Sequence, residues 1–536
     1  MQVRYRWTAL QVTTVFSVVF LLLGFWSPFF FLGLLLTAPL LLLGGYDLLQ
    51  KKHSLPRNFP ILGRFRYLIE AFGPALHQYV VESNKDGAPF NRDLRSLIYQ
   101  RSKDIEGKKP FGTELNVYAS DYLWLNHSMA PKSKSQELRL DIGGPECSRP
   151  YNASIYNISA MSFGSLSGNA IMALNRGAKK GNFFHTTGEG GISRYHRMPG
   201  GDLNWQIGSG YFGCRDKAGN FDPDAFADQS ADEQVKMVEI KISQGAKPGH
   251  GGILPGEKVT AEIAEARGVP IGTDCVSPAA HPAFSTPLEL LEFIARLRKL
   301  SGGKPVGFKI CIGHPWEFLG VCKAMLETEI YPDFIVVDGA EGGTGAAPLE
   351  FTDRIGFPLK EGLLIVHNAL VGIGVRDKIR IGVSGKVVTG ISIAGMAALG
   401  ADFVNTARGF MFSLGCIQAQ MCHSNHCPVG VATQNADLQK ALDVADKSER
   451  VYHFQRNTIR ALKEVIQAAG FDHPSQLEPG HIYQRQGPTE VHSYADVYHF
   501  LKPGEILAGT DNSRFKKFWD IASANSFSPD LSRTGI

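Results

Sequence analysis

From Thr8 to Leu43 no side chain is charged. One straight helix of that length measures about 55 Å, well beyond a hydrocarbon core of about 30 Å. The segment Gly24-Phe25-Trp26-Ser27-Pro28 breaks the run, because Pro28 disfavours helix at the residue before it. The pattern predicts two short apolar spans, Leu10–Leu23 and Phe29–Leu43. Arg4 and Arg6 precede them, and Lys51, Lys52, Arg57, Arg64 and Arg66 follow. Cations at both ends place both ends on the cytoplasmic side, which makes a transmembrane hairpin. No charge interrupts the spans, so they read as an anchor rather than an ion path. A cleaved signal peptide is the alternative, but the run is too long and lacks a small-residue cleavage site. A single tilted or re-entrant span is another.

After Tyr151 the texture changes to short β-rich runs, each ending in Gly, Ser, Thr or an acid. They are Ser154–Ile158, Phe183–Thr187, Val238–Ile242, Pro270–Thr273, Val306–Ile310, Phe334–Val337, Ile379–Val383 and Phe403–Thr406. Ala261–Ala266, Leu288–Leu300, Trp316–Glu327 and Thr389–Leu399 read as helices between them. Eight strands alternating with helices predict an α/β fold, a (β/α)8 TIM barrel. An open doubly wound sheet is the other arrangement. The barrel is favoured because Gly-rich breaks follow nearly every run, and in a barrel those breaks collect on one face. Residues 51–150 are basic and mixed, with a helical stretch at Arg64–Phe72, and Asp437–Ala469 reads as helical. The expected organisation is a transmembrane hairpin (1–50), a flanking region (51–150), the barrel (151–436) and a helical extension (437–536).

Composition narrows the chemistry only slightly. A net charge of +4 over 536 residues gives no electrostatic case for nucleic acid. Eight cysteines in so long a chain are no disulfide framework. The 58 glycines cluster at the ends of the runs, where the backbone must turn tightly or approach a ligand.

Those ends hold the candidate chemistry. Ser159-Ala160-Met161-Ser162 follows the first run, with small residues on which a flat ring can lie. Thr187-Gly188-Glu189-Gly190 follows the second, and Glu189 is a candidate ligand for substrate or ammonia, or else a solvated loop acid. Gln244-Gly245-Ala246-Lys247 follows the third run, and Lys241 lies inside it. Near a flavin N1 a cation at Lys247 or Lys241 stabilises the anionic reduced ring. Gly342-Gly343 follows the sixth run, Ser384-Gly385 the seventh and Thr406-Ala407-Arg408 the eighth. Loops after the last strands of a barrel commonly hold phosphate, with Arg408 as a bidentate donor.

Three of the eight cysteines, Cys416, Cys422 and Cys427, fall within twelve residues as C-x5-C-x4-C, and Pro428 follows. Three thiolates suit an iron–sulfur cluster. Zinc needs a fourth ligand, for which His423 or His426 is available. Inert buried thiols are the third reading.

Taken in order, SAMSFGSLS (159–167), TTGEGG (186–191), IKISQGAKPGHGG-LPGEKV (240–259), VDGAEGGTGAAPL (337–349) and GCIQAQMCHSNHCPVGVATQ (415–434) closely resemble the synthase domain of glutamate synthases. That resemblance implies a barrel carrying FMN and a [3Fe–4S] cluster, the cluster on Cys416, Cys422 and Cys427. It implies FMN over Ser159, Ala160, Met161 and Ser162, lined by Gln206, Ser209, Lys241, Gln244, Lys247 and Lys309. Its phosphate falls to Gly342, Gly343, Ser384, Gly385, Thr406 and Arg408. Lys247, Glu189 and Lys241 become catalytic candidates, with Glu189 and Arg267 binding the 2-oxoglutarate and ammonia substrates. The implied reaction is condensation of ammonia with 2-oxoglutarate, then hydride transfer from reduced FMN.

The departures bear on the acceptor. Ile253 replaces the family's Gln before LPG, His250 replaces its Glu, and Asn405-Thr406-Ala407-Arg408-Gly409 replaces a glycine-rich phosphate loop. Gln2 follows Met1 where a glutaminase would begin with Cys. The expectation is a stand-alone, membrane-anchored synthase domain, its catalytic part cytoplasmic. It would draw on free ammonia or an amine, and on an external electron donor such as ferredoxin or an NAD(P)H reductase subunit. The alternative is a membrane-linked FMN and iron–sulfur oxidoreductase with another acceptor, for example one similar to N-methylglutamate synthase.

Overall fold

The structure, a computed structural model, describes residues 6–133 and 136–533. It comprises two compact units, one ending at Asp93 and one beginning at Leu94.

In the first unit, helices Thr8–Gly24 and Phe31–Leu49 pack side by side through small residues. A Cβ on Gly44 would come within 2.5 Å of Leu10, and one on Gly33 within 2.6 Å of the Phe20 ring. Pro28–Leu49, 22 residues, is long and apolar enough to cross a membrane, whereas Thr8–Gly24 is a shorter apolar helix. Arg64–Phe72 lies inside a longer helix, Leu62–Leu76.

The second unit is built on a closed barrel of eight parallel strands. In chain order they are β1 (Tyr156–Ile158), β2 (His185–Thr186), β3 (Leu203–Ile207), β4 (Val235–Lys241), β5 (Val306–Ile310), β6 (Phe334–Asp338), β7 (Arg380–Ser384) and β8 (Phe403–Thr406). β8 closes on β1 with Val404 opposite Tyr156 and Thr406 opposite Ile158. The strands are buried along nearly their whole length, as expected where helices cover the outside and side chains fill the inside.

One expected strand is wrong and one was missed. Pro270–Thr273 is a turn, in an excursion between β4 and β5 that holds a two-stranded ribbon, Ile253–Leu254 with Cys275–Val276. Helix Ala261–Arg267 belongs to the same excursion rather than to the barrel wall. The true third strand is β3, Leu-Asn-Trp-Gln-Ile, whose polar residues face neighbours inside the barrel. The loop that begins at Ile242 therefore follows the fourth strand.

The wall helices begin where local chemistry dictates. Thr286 accepts the Glu289 N–H at 3.1 Å ahead of Pro287–Leu300, which opens on proline. Helix Val444–Ala468 lies against Gly168–Gly181. A Cβ on Gly177 would reach 2.5 Å from Val451, so glycine sets how closely the two approach.

The end opposite the glycine-rich loops is closed by the hairpin Arg139–Ile142 with Tyr151–Ser154. Ile142, Ala153, Phe184, Met237, Phe334, Val336 and Phe403 form one apolar cluster there. Asp333, fully buried, binds this end together. It accepts from Gly144 N at 2.6 Å, from Val306 N at 2.7 Å and from Arg298 Nε at 3.0 Å. Removing this buried carboxylate leaves two amides and Arg298 Nε without their acceptor, while Arg298 keeps Glu146 and Tyr331 O through its other nitrogens. Asp333→Ala is expected to cost about 3–5 kcal/mol in urea denaturation. A loss below about 1 kcal/mol would show that the network is not what fixes this end.

Candidate active site

The glycine-rich loops gather at the C-terminal ends of the strands, where barrel enzymes place their chemistry. Ser159, just past β1, donates its N–H to Thr406 O of β8 at 3.0 Å. Its hydroxyl lies 3.2 Å from that of Ser384 on β7. The first two loops touch through backbone, since a Cβ on Gly188 would be 2.6 Å from Ser162 N. Met161 is buried beside them and Ala160 is half-buried.

Glu189 is the electrostatic centre of this rim. Its carboxylate meets Lys241 Nζ at 3.1 Å. Burial pushes its pKa up, but Lys241 outweighs that with help from Lys247 and Arg267. The carboxyl ends below its ordinary value and is ionised at neutral pH. Burial first, then the like charge of Lys241, pushes Lys247 down, partly offset by Glu189. Arg267 is buried and sits across the Phe212 ring. It donates Nη2 to Phe163 O at 3.2 Å, while its Nε meets no acceptor. One carboxylate and three cations thus share a largely dehydrated space. Burying an excess of like charge is costly unless an anion occupies the site.

Beneath this group a polar layer fills the barrel. Gln206 donates Nε2 to Glu239 at 2.5 Å, Asn204 donates to the other Glu239 oxygen at 3.2 Å, and Lys309 pairs with Asp338 at 3.2 Å. Asp338 also accepts the Gly245 N–H at 2.8 Å. Gly245 is obligatory here, because its Cβ would fall 1.6 Å from Gly339 O. Gln206 and Lys309 are thus held by side chains within the barrel. Ser209 is tied elsewhere, donating to Pro278 O. Gln244 accepts the Lys247 N–H at its backbone carbonyl, at 3.2 Å.

At the ends of β6 to β8, Arg408 donates Nη2 to Glu341 O at 2.6 Å. Burial, and then the neighbouring Arg408, lower the pKa of Lys386, so the two cations are close. Gly385 has φ +149°. Gly343 lies where a Cβ would be 2.8 Å from Arg408 Nε, and the Gly342 N–H bonds to Gly339 O at 2.8 Å. Thr406 is buried.

Cys416, Cys422 and Cys427 sit in one loop. Burial pushes Cys416 up to about 12, with the other two thiols adding to the shift. Burial and then Cys427 raise Cys422, while Lys258 lowers it. The loop carries three left-handed non-glycine residues, Gln418, Gln420 and Asn425, a strain that surrounding bonds must hold. Tyr99 donates to Cys416 O at 2.6 Å, Lys258 to Cys422 O at 2.8 Å, and Gln434 N–H to Asn425 Oδ1 at 2.7 Å. Among the described residues no three His, Cys, Asp or Glu side chains converge on a single metal position.

Sequence reading missed Glu239, Asp338 and His281. A lone acid in the apolar run Met-Val-Glu-Ile was the available signal for Glu239, and Asp338 stood at the end of a recognised strand. His281 had no signal. Its buried ring donates Nε2–H to Lys241 O at 2.8 Å and accepts the Tyr211 hydroxyl at 3.1 Å. Burial lowers its pKa to about 4, so it is neutral and fixes the end of β4.

With that geometry in hand, known proteins can be compared. Residues 141–472 match the model of the conserved region in glutamate synthase. The glutamate synthase large subunit-like protein YerD of Bacillus subtilis (strain 168) is 36% identical over 491 residues, covering 84% of this chain and 93% of that one. The chain belongs to the glutamate synthase family. An archaeal-type glutamate synthase (NADPH) of Thermotoga maritima is 36% identical over 317 residues, and the chain spans 59% of its length. The archaeal glutamate synthase (NADPH) of Methanocaldococcus jannaschii is 35% identical over 316 residues. Among solved structures, a mandelate oxidase with a monooxide FMN adduct covers 79% of this chain and 99% of its own, at 14% identity and TM-score 0.42. Within the family match lie every loop and all three thiols described above.

The pair Lys241–Glu189 makes a direct test. Lys241→Met leaves Glu189 buried beside fewer cations, so its carboxyl pKa is expected to rise above the ordinary value of about 4.3. Carboxyl infrared bands followed against pH read this. An unshifted Glu189 band would show that Lys241 does not set its charge.

Proposed function

We propose that the chain is an oxidoreductase that joins ammonia or an amine to 2-oxoglutarate and reduces the product to glutamate or an N-alkyl glutamate. It would hold FMN in the barrel mouth and a [3Fe–4S] cluster on Cys416, Cys422 and Cys427. The observation that carries this reading is the buried group of one carboxylate and three cations, Glu189 with Lys241, Lys247 and Arg267. That excess of positive charge fits a dicarboxylate substrate and an anionic flavin ring.

The residues present fit both groups. Lys386 and Arg408, beside Gly342, Gly343 and Gly385, make a cationic, backbone-lined cradle suited to a phosphate. Ser159, Ala160 and Ser162 present backbone and small side chains on which a flat ring could lie. The three thiols are close enough to perturb one another, and Arg95 and Lys258 are near enough to lower two of them. Such cations suit an anionic cluster that takes one thiolate per iron. When bound, FMN would supply hydride to carbon, and the cluster would relay electrons to it from an outside donor such as ferredoxin or an NAD(P)H reductase subunit.

The chain's own groups would do the rest. Arg267 attracts a carboxylate of 2-oxoglutarate. Glu189, ionised, would take the proton released as the amine nitrogen attacks the keto carbon and return it to the carbinolamine hydroxyl, which leaves as water as the imine forms. Lys241 keeps Glu189 ionised, and Lys247 stabilises negative charge developing nearby. The apolar helices Thr8–Gly24 and Phe31–Leu49 would anchor the chain in the cell membrane as a hairpin, with the catalytic unit cytoplasmic. A second reading, an N-methylglutamate synthase-like enzyme, rests on Ile253. Its half-exposed side chain adjoins Gly252, where a Cβ would be 2.7 Å from Glu189. Ile253 sets an apolar side chain where the family has an amide, and an apolar group suits an alkyl amine better than ammonia.

Anaerobically reduced full-length protein, given 2-oxoglutarate with ammonia or methylamine, is expected to yield glutamate or N-methylglutamate. Glu189→Gln is expected to lower kcat/KM by about 10²–10⁴-fold. The acid limb of the rate profile should lie below the ordinary carboxyl range of about 4.3, because the folded Glu189 is depressed. The alkaline limb should fall before the ordinary lysine value of about 10.4, because Lys247 loses its proton early. No product with either amine would overturn the assignment.

A further inference from the structure

Beyond the apolar pair, the first unit holds a second membrane-directed feature. Helix Leu62–Leu76 carries Leu62, Phe65, Leu68, Ile69, Phe72 and Leu76, each between 42% and 62% exposed. At 100° per residue these six fall on one arc of about 120°. Arg64 and Arg66 stand at its two edges, and Glu70 lies on the opposite side. A water-soluble helix turns such a stripe inward. Here it is exposed, and exposed apolar residues continue through Tyr79, Val80 and Val81.

The start of this helix is fixed to the end of the long apolar helix. Asp47, fully buried near the end of Phe31–Leu49, accepts Arg64 Nε at 2.7 Å and Ile61 N–H at 3.1 Å. Arg64 also lies over the Tyr46 ring. Gly63 approaches Pro56 so closely that a Cβ would be 2.7 Å from its Cα. Between Asp47 and Glu70 the charged side chains are Lys51, Lys52, Arg57, Arg64 and Arg66; Arg64 pairs with Asp47 at 2.7 Å and Arg66 with Glu70 at 2.6 Å, which leaves Lys51, Lys52 and Arg57 as the cations outside these pairs.

We infer that Leu62–Leu76 is an interfacial helix. Its apolar stripe would lie in the acyl boundary of the membrane crossed by the preceding hairpin, with Lys51, Lys52 and Arg57 on anionic headgroups. Two observations select lipid as the occupant. The helix that carries the stripe is tied at its start, through Asp47, to an exposed apolar helix long enough to span, and the segment joining the two carries Lys51, Lys52 and Arg57, as expected of helices that lie on anionic bilayers. The Asp47–Arg64 pair then acts as a positioning device, setting the turn between the spanning and surface helices. The inference rests on the hairpin reading above for its membrane, and the test separates the two.

Full-length protein is placed in nanodiscs of phosphatidylcholine with phosphatidylglycerol. A photo-reactive benzoylphenylalanine replaces, one at a time, Phe72 on the stripe, Glu70 on the polar face and Leu35 in the long apolar helix. Phe72 is expected to give at least about fivefold more lipid adduct than Glu70, with Leu35 labelled as well. Omitting phosphatidylglycerol should reduce the Phe72 adduct more than the Leu35 adduct. Lipid adducts at Leu35 without any at Phe72 would overturn the interfacial helix and leave the hairpin standing. Adducts at Phe72 but none at Leu35 would sustain the surface helix and remove the spanning reading. Crosslinks from Phe72 to a second copy of the chain, in place of lipid, would overturn the inference in favour of a helix–helix interface.

Discussion

Charge confined at the mouth of the barrel governs this molecule. Glu189 cannot by itself offset Lys241, Lys247 and Arg267, and water is largely shut out around them. In such a place each unbalanced cation raises the energy of the empty protein and lowers that of an anionic occupant. A weaker case recurs at the ends of β6 to β8, where Lys386 and Arg408 lie close over glycine backbone and Glu341 offsets part of their charge. The fold therefore stores its preference for anions in two adjacent places. The opposite end, bound by Asp333 and sealed by an apolar cluster, supplies the rigidity against which those charges are held.

Backbone contacts turn that preference into a shaped site. Gly245 against Gly339 and Gly188 against Ser162 let loops from different strands touch without side chains between them. The neutral imidazole of His281 ties the carbonyl of Lys241 to Tyr211, so a residue with no direct part in charge balance aims the lysine that has one. The thiol loop is strained by three left-handed residues and fastened by Tyr99, Lys258 and Gln434. Strain of that kind persists only where the surroundings over-determine it.

Much of this was legible in the chain because barrel strands end in their own punctuation. Apolar runs such as Phe-Ile-Val-Val-Asp announce a buried parallel strand, and the glycines after them mark the rim. The pattern failed at β3, since Leu-Asn-Trp-Gln-Ile has one β-branched residue and two amides. Those amides are there to satisfy Glu239, which periodicity cannot reveal. It failed again at Pro270–Thr273, where a short apolar stretch after a helix imitates a strand but belongs to a rim excursion. Spacing suggested the three thiols, and places in a strand or its glycine-rich rim loop suggested Lys241, Lys247 and Glu189, with family resemblance adding their roles. Their mutual electrostatics needed coordinates, as did the roles of His281 and Asp338, which depend on partners distant in sequence.

Family membership, the closed barrel and the two cationic subsites converge on a flavin nucleotide held by charge. Cations beside a flavin favour its anionic reduced state and so raise its reduction potential. The most direct measurement is the amount of FMN released by full-length protein, together with the potential of the bound flavin in wild type and in Lys247→Met. The account predicts about one FMN per chain and a potential above that of free FMN, falling when Lys247 is replaced. A protein that carries no flavin, or a bound flavin whose potential ignores Lys247, would contradict it.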